Sequence, residues 1–254
     1  MGIRRGSIST SIIADGLVFN MDAANRASYP AQRTFAIAES GSCYNTLDTT
    51  QSGSFIADPQ FITQPTSASC WSFDGVDDYI TCNADLTNLG IAGGGSSGEK
   101  SPLTICCWVK IDAVPGSGDN YFIGAKIGSN GPAISIKSNE RIYCWFNATG
   151  MYTVKIDGTT SALDLGKWIH VAYTDNGTNK NIYLNGVLDT TQSPASSANN
   201  LNLVRDIAIG AEADGDNPFN GQVANAQFYN RGLSSSEVLH NYNALKGRFA
   251  WVEE

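Results

Sequence analysis

From Leu165 to Val187 the chain reads "LGKWIHVAYTDNGTNKNIYLNGV": two runs of β-branched and aromatic residues around a polar loop, then an Asn-Gly dipeptide. Such runs fit a pleated, half-buried surface, and Asn-Gly supplies the two positive-φ residues of a tight hairpin turn. The same spelling recurs along the chain and restricts it to an all-β fold. Strands are predicted over Leu17–Met21, Cys70–Phe73, Tyr79–Cys82, Leu103–Ile111, Tyr121–Lys126, Ala133–Lys137, Arg141–Asn147, Thr153–Ile156, Lys167–Thr174, Asn181–Leu184, Asp206–Ile209 and Gln222–Tyr229. Several, such as "LTICCWV", are nearly continuous in apolar residues and belong inside a two-layer sandwich. Trp71, Trp108, Trp145 and Trp168 all fall on these strands, where core packing is the favoured reading.

Helical periodicity is convincing only near the end, in "NRGLSSSEVLHNYNALKGRF". Ser234 is a natural N-cap, Glu237 completes a capping box, and Leu233 and Val238 stand at hydrophobic-staple positions. Val238, Leu239, Tyr242 and Leu245 are read as the apolar stripe, with Gly247 as a left-handed stop. His240 falls near the polar side. The Gly- and Ser-rich stretch from Leu89 to Ser101 is read as a mobile surface loop within one domain, because composition is alike on both sides.

Net charge is −8, and no basic run exceeds Arg4-Arg5, so nucleic acid is not a partner. No apolar run is long enough to span a bilayer. The start lacks the continuous apolar stretch of a secretory signal. Of the six cysteines, Cys106 and Cys107 should point to opposite faces of one strand. Cys70 and Cys82 are placed across a hairpin, and buried free thiols in a reducing cytosol are preferred to a disulfide framework.

The stretch "SFDGVDDYI", Ser72 to Ile80, sets three carboxylates between two aromatic residues. Asp74-Gly75 is a strong turn dipeptide, and Asp77 and Asp78 diverge on an extended backbone. Glycosidase acids face each other across a sugar, at about 5–9 Å, which adjacent residues cannot do alone. A structural turn is favoured, with a calcium loop as the alternative, since carboxylates and loop carbonyls suit that ion. Glu212, Asp214 and Asp216 in "IGAEADGDNPF" invite comparison with glucanase acids, but their surroundings spell a loop. An active site needs acids on a rigid element, so hydrolysis is disfavoured and calcium is again the alternative. His170 on its strand is read as a packed, hydrogen-bonded core residue. No motif of nucleophilic or zinc catalysis is present, and the chain is read as non-enzymatic.

"DGLVFNMDAANRASYP", "SFDGVDDYI", "LTICCWVKI", "KWIHVAYTDNGTNKNIYLNGV" and "FNGQVANAQFYNRGLSSSEVLHNYNALKGRF" follow one another in order. Together they resemble the laminin-G-like, concanavalin A-like jelly-roll domains, most closely those found in virion proteins of marine tailed phages, including cyanophages. The resemblance runs from Asp15 to Phe249. It implies an antiparallel two-sheet jelly-roll β-sandwich with one short C-terminal α-helix over residues 15–249; outside it, the polar and then weakly β-forming start is read as an N-terminal anchoring arm (1–14), and residues 250–254 as a tail. It implies a virion surface protein made in the bacterial host cytoplasm: a capsid decoration, neck appendage or tail-fibre part. Its partners would be other virion proteins, copies of itself and host-surface glycans. The arm is expected to order when docked on another virion protein. The wider superfamily often carries calcium, and that carry-over falls on Asp74, Asp77, Asp78, Asp214 and Asp216. The alternative it leaves is a calcium-dependent carbohydrate-binding adhesin module not tied to a virion.

Overall fold

A computed structural model describes residues 11–30, 42–63, 69–91, 102–127, 131–148, 152–158, 163–192 and 206–249. Among them, sixteen strands form two eight-stranded antiparallel sheets, followed by one α-helix. The first sheet runs β14 (Val187–Gln192), β13 (Lys180–Leu184), β12 (Trp168–Asp175), β7 (Leu103–Ile111), β16 (Asn220–Tyr229), β5 (Cys70–Asp74) and β4 (Gln60–Ile62). In it, β1 (Leu17–Asp22) shares the β16 edge with β5. The second runs β11 (Tyr152–Asp157), β10 (Ile142–Ala148), β9 (Ala133–Lys137), β8 (Asp119–Gly124), β15 (Asp206–Ile209), β6 (Tyr79–Asp85), β3 (Ser52–Ile56) and β2 (Ser42–Tyr44).

Alternation along the strands builds the core. On β7, Ile105, Cys107 and Val109 join Phe19, Trp71, Phe122, Ile134, Ile209 and Phe228 between the sheets, while Cys106 and Trp108 face outward. Cys106 and Cys107 thus point to opposite faces, as the alternation requires. All six thiols are buried and free. Burial pushes those of Cys43 and Cys70 up to about 12, which keeps them protonated. Cys70 and Cys82 do not face each other across a hairpin. β5 and β6 lie in different sheets, with Cys82 on the core side beside Met21 and Cys70 on the outer side beside Gln222.

Four strands escape the sequence reading: β2, β3, β4 and β14. They are short or polar, and they lie at or near the sheet margins, where apolar alternation is weakest. The Asn185-Gly186 turn between β13 and β14 forms as spelled, with φ of 50° and 78°.

The helix α1 (Ser235–Leu245) closes over the outer face of the first sheet. Both halves of its capping box are made: Ser234 Oγ accepts from the Glu237 amide, and Glu237 Oε2 accepts from the Ser234 amide at 2.8 Å. The buried face differs from the predicted stripe. Val238 and Asn241 are buried, whereas Leu239 is exposed. Asn241 is internal because it donates to the Tyr229 hydroxyl at 2.9 Å and accepts from the Ile13 amide at 2.8 Å. Nor does Gly247 end the helix in a left-handed turn; the chain continues as a 3₁₀ turn, Lys246–Arg248. Arg248 grips Asp22 with two hydrogen bonds of 2.7 and 2.8 Å, which holds Phe249 stacked 4.2 Å from Trp108.

Residues 11–14, assigned from sequence to an arm that orders when docked on another virion protein, pack on this same chain. Ser11 O meets His240 Nε2 at 2.9 Å, and Ile13 O accepts from the Tyr229 hydroxyl at 3.1 Å. Residues 1–10 and 250–254 lie outside the described residues. The Leu89–Ser101 stretch is no surface loop at its start: Leu89 and Ile91 belong to the core. Its remainder, from residue 92 to 101, also lies outside the described residues. No helix among the described residues is long and apolar enough to cross a membrane.

Candidate functional site

Among the connections that cross between the sheets at one end of the sandwich, two are rich in acids. The first, residues 75–78, leaves β5 and enters β6. The second, residues 210–219, leaves β15 and enters β16. They lie side by side because Asp74 pairs with Asn220 in one sheet and Ile80 with Ile209 in the other. The aromatic residues that bracket the acidic motif hold the neighbouring loop: a Cβ on Gly210 would come 2.6 Å from the Phe73 ring, and one on Gly215 would come 2.9 Å from that of Tyr79.

Within the first crossover, Asp78 is the structural acid. It is 3 % exposed, and its two oxygens accept from the Asp58 amide at 3.0 Å and the Asp74 amide at 3.1 Å. Burial pushes its carboxyl above the usual range, against the pull of those two amides. Asp74 Oδ1 accepts from the Val76 amide at 2.7 Å, closing an Asx turn over Gly75, whose φ is 81°. The stretch is thus a turn that joins the two sheets. Asp74 and Asp77 are exposed, and one carboxylate oxygen from each of Asp74, Asp77 and Asp78 lies within 4.8 Å of the others. A hard cation takes oxygen ligands of this kind, but Asp78 spends both oxygens on amides, leaving the free lone pairs mainly on Asp74 and Asp77.

The second crossover separates its acids. Asp214 and Asp216 are exposed, and Asp214 Oδ1 accepts from the Asp216 amide at 3.3 Å. Neither belongs to the three-acid group, so only three of the five sequence-predicted ligands are brought together. Glu212 is buried at 4 % exposure and takes the Lys126 ammonium at 2.6 Å. The Glu-x-Asp-x-Asp run therefore does not present its acids on one face.

Sequence reasoning missed a row of rings on the outer face of the second sheet. Around inward-facing Cys144, Tyr143 and Trp145 project outward and meet edge to face at 5.3 Å. Lys137 lies 3.9 Å over Tyr143, and Lys126 lies 4.5 Å from Tyr121 and 4.7 Å from Trp145. The ring spacing was visible in "IYCWF", whereas the lysines' places over the rings depend on strand pairing. Trp145 is half-buried. The other tryptophans differ: Trp71 is in the central core, and Trp108 is buried beneath the C-terminal segment against Phe249 and Tyr242. His170 is packed beside Trp108, but neither ring nitrogen has a hydrogen-bond partner among the described residues, contrary to the sequence expectation.

Solved structures share this architecture. A botulinum neurotoxin type C structure, described as dependent for cell entry on two ganglioside molecules, superposes with a TM-score of 0.65 at 16 % identity, covering 91 % of this chain and 51 % of that one. The receptor-binding domain of a botulinum neurotoxin C/D mosaic serotype gives 0.64 at 15 % identity, over 91 % and 52 %. The binding domain of Paraclostridial Mosquitocidal Protein 1 gives 0.64 at 14 % identity, over 90 % and 52 %. The present chain spans about half the length of these structures, and at such identities they establish the fold. No curated protein matches the chain by sequence. The family model Laminin_G_3 matches residues 74–239, from the acidic crossover into α1. With its two antiparallel sheets and terminal helix, the chain belongs to the concanavalin A-like lectin/glucanase superfamily.

Proposed function

We propose that this chain is a non-enzymatic surface protein of a phage virion, a capsid decoration, neck or tail-fibre component, whose lectin-like sandwich adheres to host glycans. The observation that carries the binding half is the loop end of the sandwich, where Asp74, Asp77, Asp214 and Asp216 are exposed on two adjoining crossovers. Sugars are recognised by such fixed hydrogen-bonding groups together with aromatic faces, and Trp145 on the adjoining sheet offers one. The neurotoxin and mosquitocidal matches are binding domains, which favours the same use of the fold. The virion half rests on the resemblance of the sequence blocks named above to those of tailed-phage virion proteins, and on six buried thiols suited to assembly in a reducing cytosol. Association with other virion proteins and with further copies of the chain is part of the proposal.

The convergence of Asp74, Asp77 and Asp78 favours a second reading, a calcium-dependent carbohydrate-binding adhesin module not tied to a virion. Asp74 and Asp77 would supply the free ligand oxygens beside Asp78, Asp214 and Asp216 would stand exposed on the adjoining loop, and the ion would supply fixed positive charge for sugar hydroxyls. Mass spectrometry of purified phage particles separates the two readings. The virion reading expects the chain in stoichiometric amounts: many copies for a shell decoration, few for a neck or tail part. Its absence from intact particles leaves the free adhesin.

A further inference from the structure

We propose that the chain closes an internal amide crosslink between the side chains of Lys126 and Asn217, with Glu212 as the proton carrier. Three groups meet on one oxygen. Glu212 Oε1 receives Lys126 Nζ at 2.6 Å and Asn217 Nδ2 at 2.8 Å, so the amine and the amide are neighbours across a single atom. The lysine and glutamate side chains are each 3 % exposed, and the rings of Tyr121 and Trp145 flank the amine. The backbone around the amide is fixed: Asn217 O accepts from the Tyr121 amide at 3.2 Å, Pro218 O accepts from Asn120 Nδ2, and the Ala213 amide donates to Lys126 O at 2.8 Å. Asn217 itself stands at φ 54°, in the left-handed region. Groups held in this way react as if at very high concentration.

The chemistry balances without an outside reagent. Glu212 takes a proton from the Lys126 ammonium along their 2.6 Å hydrogen bond. The freed Nζ pair adds to Asn217 Cγ, and the carbonyl π pair moves to Oδ1. Glu212 then gives its proton to Nδ2, to which it is already hydrogen-bonded, and the C–N bond of the old amide breaks. Ammonia leaves and carries off the second Nζ proton by way of the same carboxylate. One amide bond forms, one breaks, one ammonium is released and Glu212 ends ionised. This is a single turnover of the chain on itself. The common rival route for ammonia loss, attack of the following backbone nitrogen on the asparagine side chain, is blocked because residue 218 is proline and lacks an N–H. The product ties the residue two beyond β8 to the loop entering β16, and so fastens the crossover that displays Asp214 and Asp216.

Intact-mass measurement and tryptic mapping of the purified full-length chain test this. The proposal expects a mass one ammonia below that of the sequence, a branched peptide joining Lys126 to Asn217, and loss of cleavage after Lys126. Asn217→Ala, which keeps the Lys126–Glu212 pair, is expected to restore both the unlinked mass and cleavage after Lys126. Linear peptides carrying Lys126 and Asn217 separately, after prolonged incubation of the folded protein, would overturn the crosslink, even if ammonia had been lost elsewhere. A folded Glu212→Gln protein that still carried the branch would overturn the role given to that carboxylate.

Discussion

Trp71→Ala is expected to lower folding stability by about 3–5 kcal/mol, the usual cost of deleting a large buried ring. Trp71 has no exposed surface, lies between the sheets, and meets Tyr29 edge to face at 6.3 Å. Its strand neighbours are Val223 on one side and Phe61 on the other, so the cavity left by truncation opens at the junction of β4, β5 and β16. The indole nitrogen has no hydrogen-bond partner among the described residues, so packing fixes this residue. Trp71→Phe, which keeps a ring and removes an unsatisfied N–H, should therefore cost much less than the alanine change. Urea unfolding of the three proteins checks this. Equal losses for phenylalanine and alanine would show that the indole N–H is bonded in the folded state.

The second large effect is a loss of stability in mild acid that traces to one imidazole. Burial lowers the His170 pKa to about 3, well below the ordinary imidazole value of 6.5. The folded protein therefore keeps this ring neutral while the unfolded chain protonates it. Stability is full above the unfolded value near 6.5 and declines as pH falls toward 3. From pH 7 to pH 5 the expected loss is about 2 kcal/mol. His170→Phe should remove most of that slope. Glu237 acts lower: its hydrogen bonds to Arg231 hold the carboxyl down to about 2, so its contribution is lost only as pH falls through the carboxylate range. Asp78 and Asp206, whose carboxyls burial pushes up, work in the opposite sense, gaining stability as pH falls through that range. Denaturant midpoints measured against pH for both proteins test the assignment. An unchanged slope in the variant would place the titrating group elsewhere.

Much of the fold was legible because it is local. The bounds of β7, β9 and β15 coincide with their apolar runs, and the capping box of α1 is written in four consecutive residues. What escaped depends on partners distant in sequence. Asn241 is buried because Tyr229 and Ile13 offer it hydrogen bonds, and no helical period within α1 contains that fact. Cys70 and Cys82 flank a turn that looks like a hairpin in sequence, yet the turn crosses between sheets, since β5 pairs with β16 and β6 with β15. Glu212 looked like one of three alternating acids until Lys126, far away in sequence, drew it inside. In the candidate site, turn chemistry identified the Asp74–Asp78 crossover. Its neighbour across the sandwich end came only from strand pairing.

These residues describe a rigid two-sheet body with one outer face closed by its own C-terminal segment and with polar crossovers presented at one end. Adhesion without chemistry is the use proposed for that arrangement. A glycan microarray probed with the purified chain, with and without a calcium chelator, tests it most directly. The account predicts saturable binding to a restricted set of glycans with the glycans left intact, and loss of that binding on chelation would favour the calcium-dependent reading. No binding in either condition, or cleavage of the arrayed sugars, would contradict it.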